Sequence, residues 1–112
     1  VYVGSRSSPI YAEYAFGALE ARIPEPLPIR SVAAAAESTL RSRGHMVLSN
    51  RTTDDSARVE ARPPSRDLGR RWVVQARATS DGQTLLSVKR EPWGDDDAPR
   101  VMMDAILQTL GR

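Results

Sequence analysis

The 112-residue chain has no cysteine, one histidine (His45), one lysine (Lys89) and only six aromatic residues. Without cysteine there is no disulfide framework, no thiol nucleophile and no thiolate metal site. A single histidine leaves a multi-histidine metal site or a histidine-based dyad little to draw on. His45 also follows the end of an expected helix, where imidazole often does no more than satisfy carbonyls. No apolar run is long enough to span a bilayer. The serines lie in no Gly-x-Ser-x-Gly elbow or Ser-x-x-Lys pair, and no glycine-rich phosphate loop occurs. These gaps point away from an enzyme and supply no cofactor or metal site.

What is present is ordinary for one globular domain: 40% hydrophobic residues, 27% charged residues and a net charge of +2. Fifteen of the sixteen basic residues are arginine. A guanidinium fork suits phosphate or carboxylate, but these arginines are scattered among acids, a bias that a G- and C-rich genome also produces. The chain opens at Val1, for which a removed signal peptide is one explanation and an artificial boundary another.

Residues 1–16 read as an extended arm carrying Tyr2, Tyr11, Tyr14 and Phe16, with Gly4 and Pro9 interrupting any regular period. The arm can pair with a sheet near its end, and its aromatics should dock on this domain or on a partner. A single domain then spans 17–112. Between Gly17 and Ile23, Leu19, Ala21 and Ile23 alternate with Glu20 and Arg22, the period of a half-buried strand. Pro24, Pro26 and Pro28 forbid both helix and ladder pairing. A helix follows, with Ile29, Val32, Ala33, Ala36 and Leu40 as its apolar stripe and Gly44 as its left-handed stop.

Strands are expected at His45–Ser49 and Ser56–Arg62, then a hairpin through Ser80-Asp81-Gly82. That three-residue loop opposes Trp72 to Arg90, Val74 to Val88 and Ala76 to Leu86, and gives one apolar face. Val73 and Leu85 fall on the other face. A last helix carries Met102, Met103, Ile106, Leu107 and Leu110 on one side and stops at Gly111. The fold class is therefore α+β: a two-layer sandwich whose antiparallel sheet has about five strands, with two helices on one face and the order β-α-β-β-β-β-α.

Two clusters invite a chemical reading. Asp95-Asp96-Asp97 lacks the alternate spacing and terminal glutamate of a calcium loop, and carboxylates there complement a helix dipole and cap its free N–H groups. Arg62, Arg66, Arg70 and Arg71 form the one basic cluster and fit phosphates of nucleic acid or lipid. A sheet that reads single strands normally shows exposed aromatics, and only Trp72 stands near, at a core position.

The run AFGALEARIPEPLPIRSVAAAAESTLRSRGHMV, with SARVEAR, SDGQTLLSVKRE and MMDAILQTL after it, resembles a family of small bacterial envelope proteins of unknown function that often carry lipoprotein signals. Gly17, Leu19, Glu20, Leu40, Gly44, Val59, Glu60 and Ala61 fill the family's positions, over about residues 15–110. The PPSRDLGRR loop departs from that pattern, and so does the segment before the last helix, where the family tends to show another strand. The resemblance implies an exported protein, periplasmic or on the outer face of the envelope, anchored through an upstream lipidated cysteine. It brings no catalytic residues.

The expected function is accordingly that of a non-catalytic accessory subunit of a membrane-associated protein assembly. It would bind through the aromatic arm and a sheet edge, with Tyr2, Tyr11, Tyr14, Phe16, Arg62, Arg66, Arg70 and Arg71 as contacts. The alternative is a small nucleic-acid-binding module that uses the Arg62–Arg71 loop.

Overall fold

The computed structural model describes residues 1–64, 71–91 and 97–112. Its elements are β1 (Tyr2–Val3), β2 (Ile10–Ala15), β3 (Ala18–Ile23), α1 (Ile29–Ser42), β4 (Met46–Thr52), β5 (Ser56–Arg62), β6 (Arg71–Ala78), β7 (Thr84–Glu91) and α2 (Ala98–Thr109). The strands form one antiparallel sheet in the order β1-β2-β3-β7-β6-β5-β4. Both helices pack on the same face and touch each other. The α+β class and the one-sided helices agree with the sequence pattern. The strand count does not: the sheet has seven strands rather than about five.

The two additional strands come from the segment expected to be a loose arm. Tyr2 opposes Tyr11 and Val3 opposes Ile10, while β2 pairs with β3 from Ala12↔Ala21 to Ala15↔Ala18. Gly4, at φ +86°, turns the chain instead of merely interrupting it. Its N–H donates to Asp104 Oδ1 at 2.8 Å, and the Ser5 N–H donates to the Arg112 carbonyl. A Cβ at Gly4 would come 3.0 Å from that carbonyl, so the approach needs glycine. Val3, Ile10 and Ala12 are buried. What folds the segment is a surface on α2, about 100 residues downstream, which no local period reveals.

The rest follows the expected logic closely. Every residue of the α1 stripe is buried, and Ala35 and Thr39 extend it towards α2, where the Thr39 and Thr109 hydroxyls lie 3.0 Å apart. Gly44 stops α1 at φ +82°, with its N–H donating to the Arg41 carbonyl and the His45 N–H to the Leu40 carbonyl. That paired closure is a Schellman motif. Gly111 and Arg112 close α2 the same way, on the Gln108 and Leu107 carbonyls. The β6–β7 hairpin has the three-residue register, with Trp72↔Arg90, Val74↔Val88 and Ala76↔Leu86, and Gly82 stands at φ +80°.

Met46–Thr52 replaces the expected His45–Ser49, because pairing with β5 carries the strand on to Thr52. A register shift between Val47 and Ser49 bulges this edge strand. A bulge of this kind discourages another chain from adding to the edge. The other edge, β1, is only two residues long.

The proline turn is anchored by a residue the pattern does not flag. Thr84 is fully buried, and its Oγ1 accepts from the Leu27 N–H at 3.0 Å and donates to the Glu25 carbonyl at 3.0 Å. It thereby ties the chain between β3 and α1 to the start of β7. Thr84→Val keeps the shape but strands both backbone groups, and should cost about 1–3 kcal/mol. Urea denaturation checks this, with Thr84→Ser expected to retain most of the stability.

Candidate functional site

Because side chains alternate across a strand, the registry that buries one sheet face also composes the other. On that open face one row crosses six strands: Glu13 opposes Glu20, Glu20 opposes Ser87, and Ser87 opposes Gln75. Gln75 opposes Arg58, and Arg58 opposes Arg51. The row runs acid, acid, neutral, neutral, cation, cation, over about 24 Å at the usual spacing between strands. Its middle and basic end line a groove of about 630 Å³, floored by Leu85 and bordered by Glu20, Ser87, Gln75, Arg58 and Arg77.

Like charges directly opposite each other destabilise a sheet, so neither Glu13–Glu20 nor Arg51–Arg58 serves the fold. Arg58 is partly compensated, since Nε and Nη2 both donate to Glu60 Oε1 at 3.1 and 2.9 Å. Those bonds, with the charges of Arg58 and Arg71, hold the Glu60 carboxyl below its usual pKa against the opposing effect of burial. Arg51 and Arg77 have no ion pair among the described residues.

Val73 and Leu85 point to this face yet are only 4% exposed. Each lies between long side chains on neighbouring strands, Lys89 and Glu60 for Val73, Arg22 and Arg77 for Leu85. Their stems cover apolar surface while the charges stay in water.

At the acidic end of the row Tyr2 and Tyr11 meet edge to face, with ring centroids 5.6 Å apart. Tyr11 Oη donates to Glu13 Oε1 at 2.9 Å. That hydrogen bond, and then the charge of Glu13, push the phenol pKa up, so the group remains a neutral donor. Both rings are more than half exposed, which makes this pair an amphipathic contact surface beside a polar groove.

The expected contact residues do not form one patch. Tyr2 and Tyr11 come together. Tyr14 opposes the buried Leu19 and so projects on the helix side, half-exposed. Phe16 stands alone at the tip of the β2–β3 turn, wholly exposed. Arg62 and Arg71 are neighbours at the ends of β5 and β6; Arg62 Nη2 lies 3.5 Å from Met46 Sδ and Arg71 Nη1 3.8 Å from Glu60 Oε2. Arg66 and Arg70 lie outside the described residues, as do Asp95 and Asp96. Asp97 precedes α2 and its side chain makes no capping hydrogen bond, so what it offers the helix is its charge. Among the described residues no group of three acidic or histidine side chains is placed to hold a metal. The Glu13-to-Arg51 row escapes sequence reasoning because it exists only once five strand registers are set.

His45 lies on the helix side, edge-on to Trp72 at 5.8 Å between centroids, and is turned away from the groove. Trp72 is buried, as its core position required. No family model and no curated protein matches the chain.

Burial lowers the His45 pKa below 6.5, aided by the charge of Arg43 and opposed by the Arg43 and Leu40 carbonyls. The unfolded chain therefore takes up this proton first as pH falls, and stability should drop as pH goes below about 6.5. Urea midpoints at pH 7.5 and 5.5 test this. His45→Gln should flatten the difference, whereas an unchanged difference would assign it to another group.

Proposed function

We propose that the chain is a non-catalytic accessory subunit of a membrane-associated assembly in the cell envelope. It holds a partner protein on the open face of its sheet, with the Tyr2–Tyr11 pair as the aromatic anchor. The observation that carries this reading is the segregated charge row beside two exposed, mutually packed tyrosines. Aromatic anchors flanked by polar groups are what protein interfaces favour, and a row with acids at one end and arginines at the other selects a partner of the reverse polarity. The partner meets a face rather than an edge, since β4 is bulged and β1 is short. The envelope setting and an upstream lipid anchor follow from the sequence resemblance.

The groove supports binding over chemistry. Its lining includes carboxylate, amide, hydroxyl and guanidinium groups, but the sole histidine faces the opposite side, beside Trp72. A nucleic-acid role for the Arg62–Arg71 loop has less support. Trp72 is buried under the helices, and two acids flank the exposed tyrosines on the open face.

A photo-crosslinking residue placed at Tyr11 or Arg77 in the native cell should give the same protein adduct, and one placed at the exposed Ser38 of α1 should give none. Tyr2→Ala with Tyr11→Ala should weaken capture by at least about tenfold, as loss of aromatic anchors does. An identical adduct from Ser38 would refute the assignment to the open face.

A further inference from the structure

The charge row on the open face has a symmetry that goes beyond the separation of its signs. Counted outward from the midpoint between β7 and β6, Ser87 and Gln75 come first, Glu20 and Arg58 next, Glu13 and Arg51 last. Each acid therefore stands as far from the midpoint as one arginine, about 7 Å for Glu20 and Arg58 and about 12 Å for Glu13 and Arg51. A half-turn about an axis parallel to the strands through that midpoint exchanges the acids with the arginines. The row is thus complementary to itself turned round. A closed pair of copies uses this operation, with the same patch of surface on both.

The rows on either side accept the same half-turn without setting like charges directly opposite. On one side run Arg22, Leu85, Arg77 and Ser56, so Arg22 meets Ser56 of the copy and Leu85 meets Arg77. On the other run Ala18, Lys89, Val73 and Glu60, so Ala18 meets Glu60 and Lys89 meets Val73. The nearest like charges are Arg77 with Arg77 and Lys89 with Lys89, each pair diagonal across the axis. Lys89 is compensated by Glu91 at 3.1 Å. Glu13, Glu20, Arg51 and Arg77 have no ion pair among the described residues. Arg58 spends Nε and Nη2 on Glu60, which leaves Nη1 for a further carboxylate. Six strands and three rows make a face of about 29 by 20 Å, roughly 580 Å² before side-chain relief is counted. That is of the order of the roughly 800 Å² per partner in a stable interface.

We infer that the partner on the open face is a second copy of this chain, the two sheets stacked about a two-fold axis that runs along the strands between β6 and β7. Glu13 of each copy then pairs with Arg51 of the other, and Glu20 with Arg58. Sheets stack about 10 Å apart, a gap that a glutamate and an arginine reaching from opposite sides can close. The Tyr2–Tyr11 pair extends along the bulged β4 edge of the opposite copy. Like-charge neighbours that destabilise one sheet become matched counter-charges in the dimer. This inference rests on the assignment of the partner to the open face and names that partner.

Sedimentation equilibrium of the purified chain, up to about 1 mM and at low and high salt, tests it. The chain should dimerise, and more weakly as salt rises. Glu13→Lys with Glu20→Lys, and separately Arg51→Glu with Arg58→Glu, should each weaken self-association at least about tenfold. An equimolar mixture of the two variants should form a dimer with one of each, since every end charge then meets its opposite. Circular dichroism checks their folding. Should a reversal fail to fold, Glu13→Gln with Arg51→Gln removes both outer pairs and should still weaken the dimer. Arg77→Gln should leave self-association unchanged or tighter, because it relieves the repulsion at the axis. A chain that stays monomeric throughout, a mixture that stays monomeric, or weakening by Arg77→Gln would each overturn the pairing. The cellular crosslinks at Tyr11 and Arg77 separate this from the broader assignment. An adduct of twice the chain mass supports self-pairing, and an adduct with a different protein overturns it while keeping the open face. No adduct from either position overturns both.

Discussion

The molecule depends on one sheet face staying dry under two helices. Leu19, Ile23, Leu86 and Val88 from the strands meet Leu40, Met103, Ile106 and Leu107 from the helices, all with essentially no exposure. Each such side chain gains about 1.5–3 kcal/mol by leaving water, so this contact dominates the folding free energy. It also sets the register. A slip of one residue in any strand would exchange the faces, putting Glu20 inside and Leu19 outside. The charge row on the open face is therefore a consequence of the core: wherever burial places Ala21 and Leu86, it must also place Glu20 and Ser87 outward and in line.

The two ends of the described chain are tied by hydrogen bonds and an ion pair as well as by the burial of Val3 and Ile10. Gly4 and Ser5 meet Asp104 and the Arg112 carbonyl, and Arg112 reaches Glu25 in the proline turn. Val1 and Ala12 exchange backbone hydrogen bonds at 2.8 and 2.9 Å. As a result the tyrosines ride on ordered strands. A rigid aromatic pair loses less conformational entropy on binding than the same rings on a free arm, which favours their use as an anchor.

Three features work against local preference: the paired glutamates, the paired arginines and a phenylalanine in a left-handed turn. A folding sequence normally agrees with its structure at every level, and departures concentrate where function is served. Here they fall on two surfaces, the open face and the turn end of the sheet.

Sequence alone determined the elements whose signals are local: the α1 stripe, the proline turn, both glycine stops and the three-residue hairpin with its register. Each rests on a period or a turn chemistry complete within about twenty residues, so single-chain reasoning reads it directly. It also placed Trp72 in the core. Tertiary structure decided the rest. Residues 1–16 become two strands because Val3 and Ile10 find α2, and too few apolar residues mark them locally for a period to show. Thr84 becomes an anchor because the proline turn passes over it. Glu13, Glu20, Arg58 and Arg51 become one row only through pairing across six strands, and that alignment of distant residues has no counterpart in the linear order.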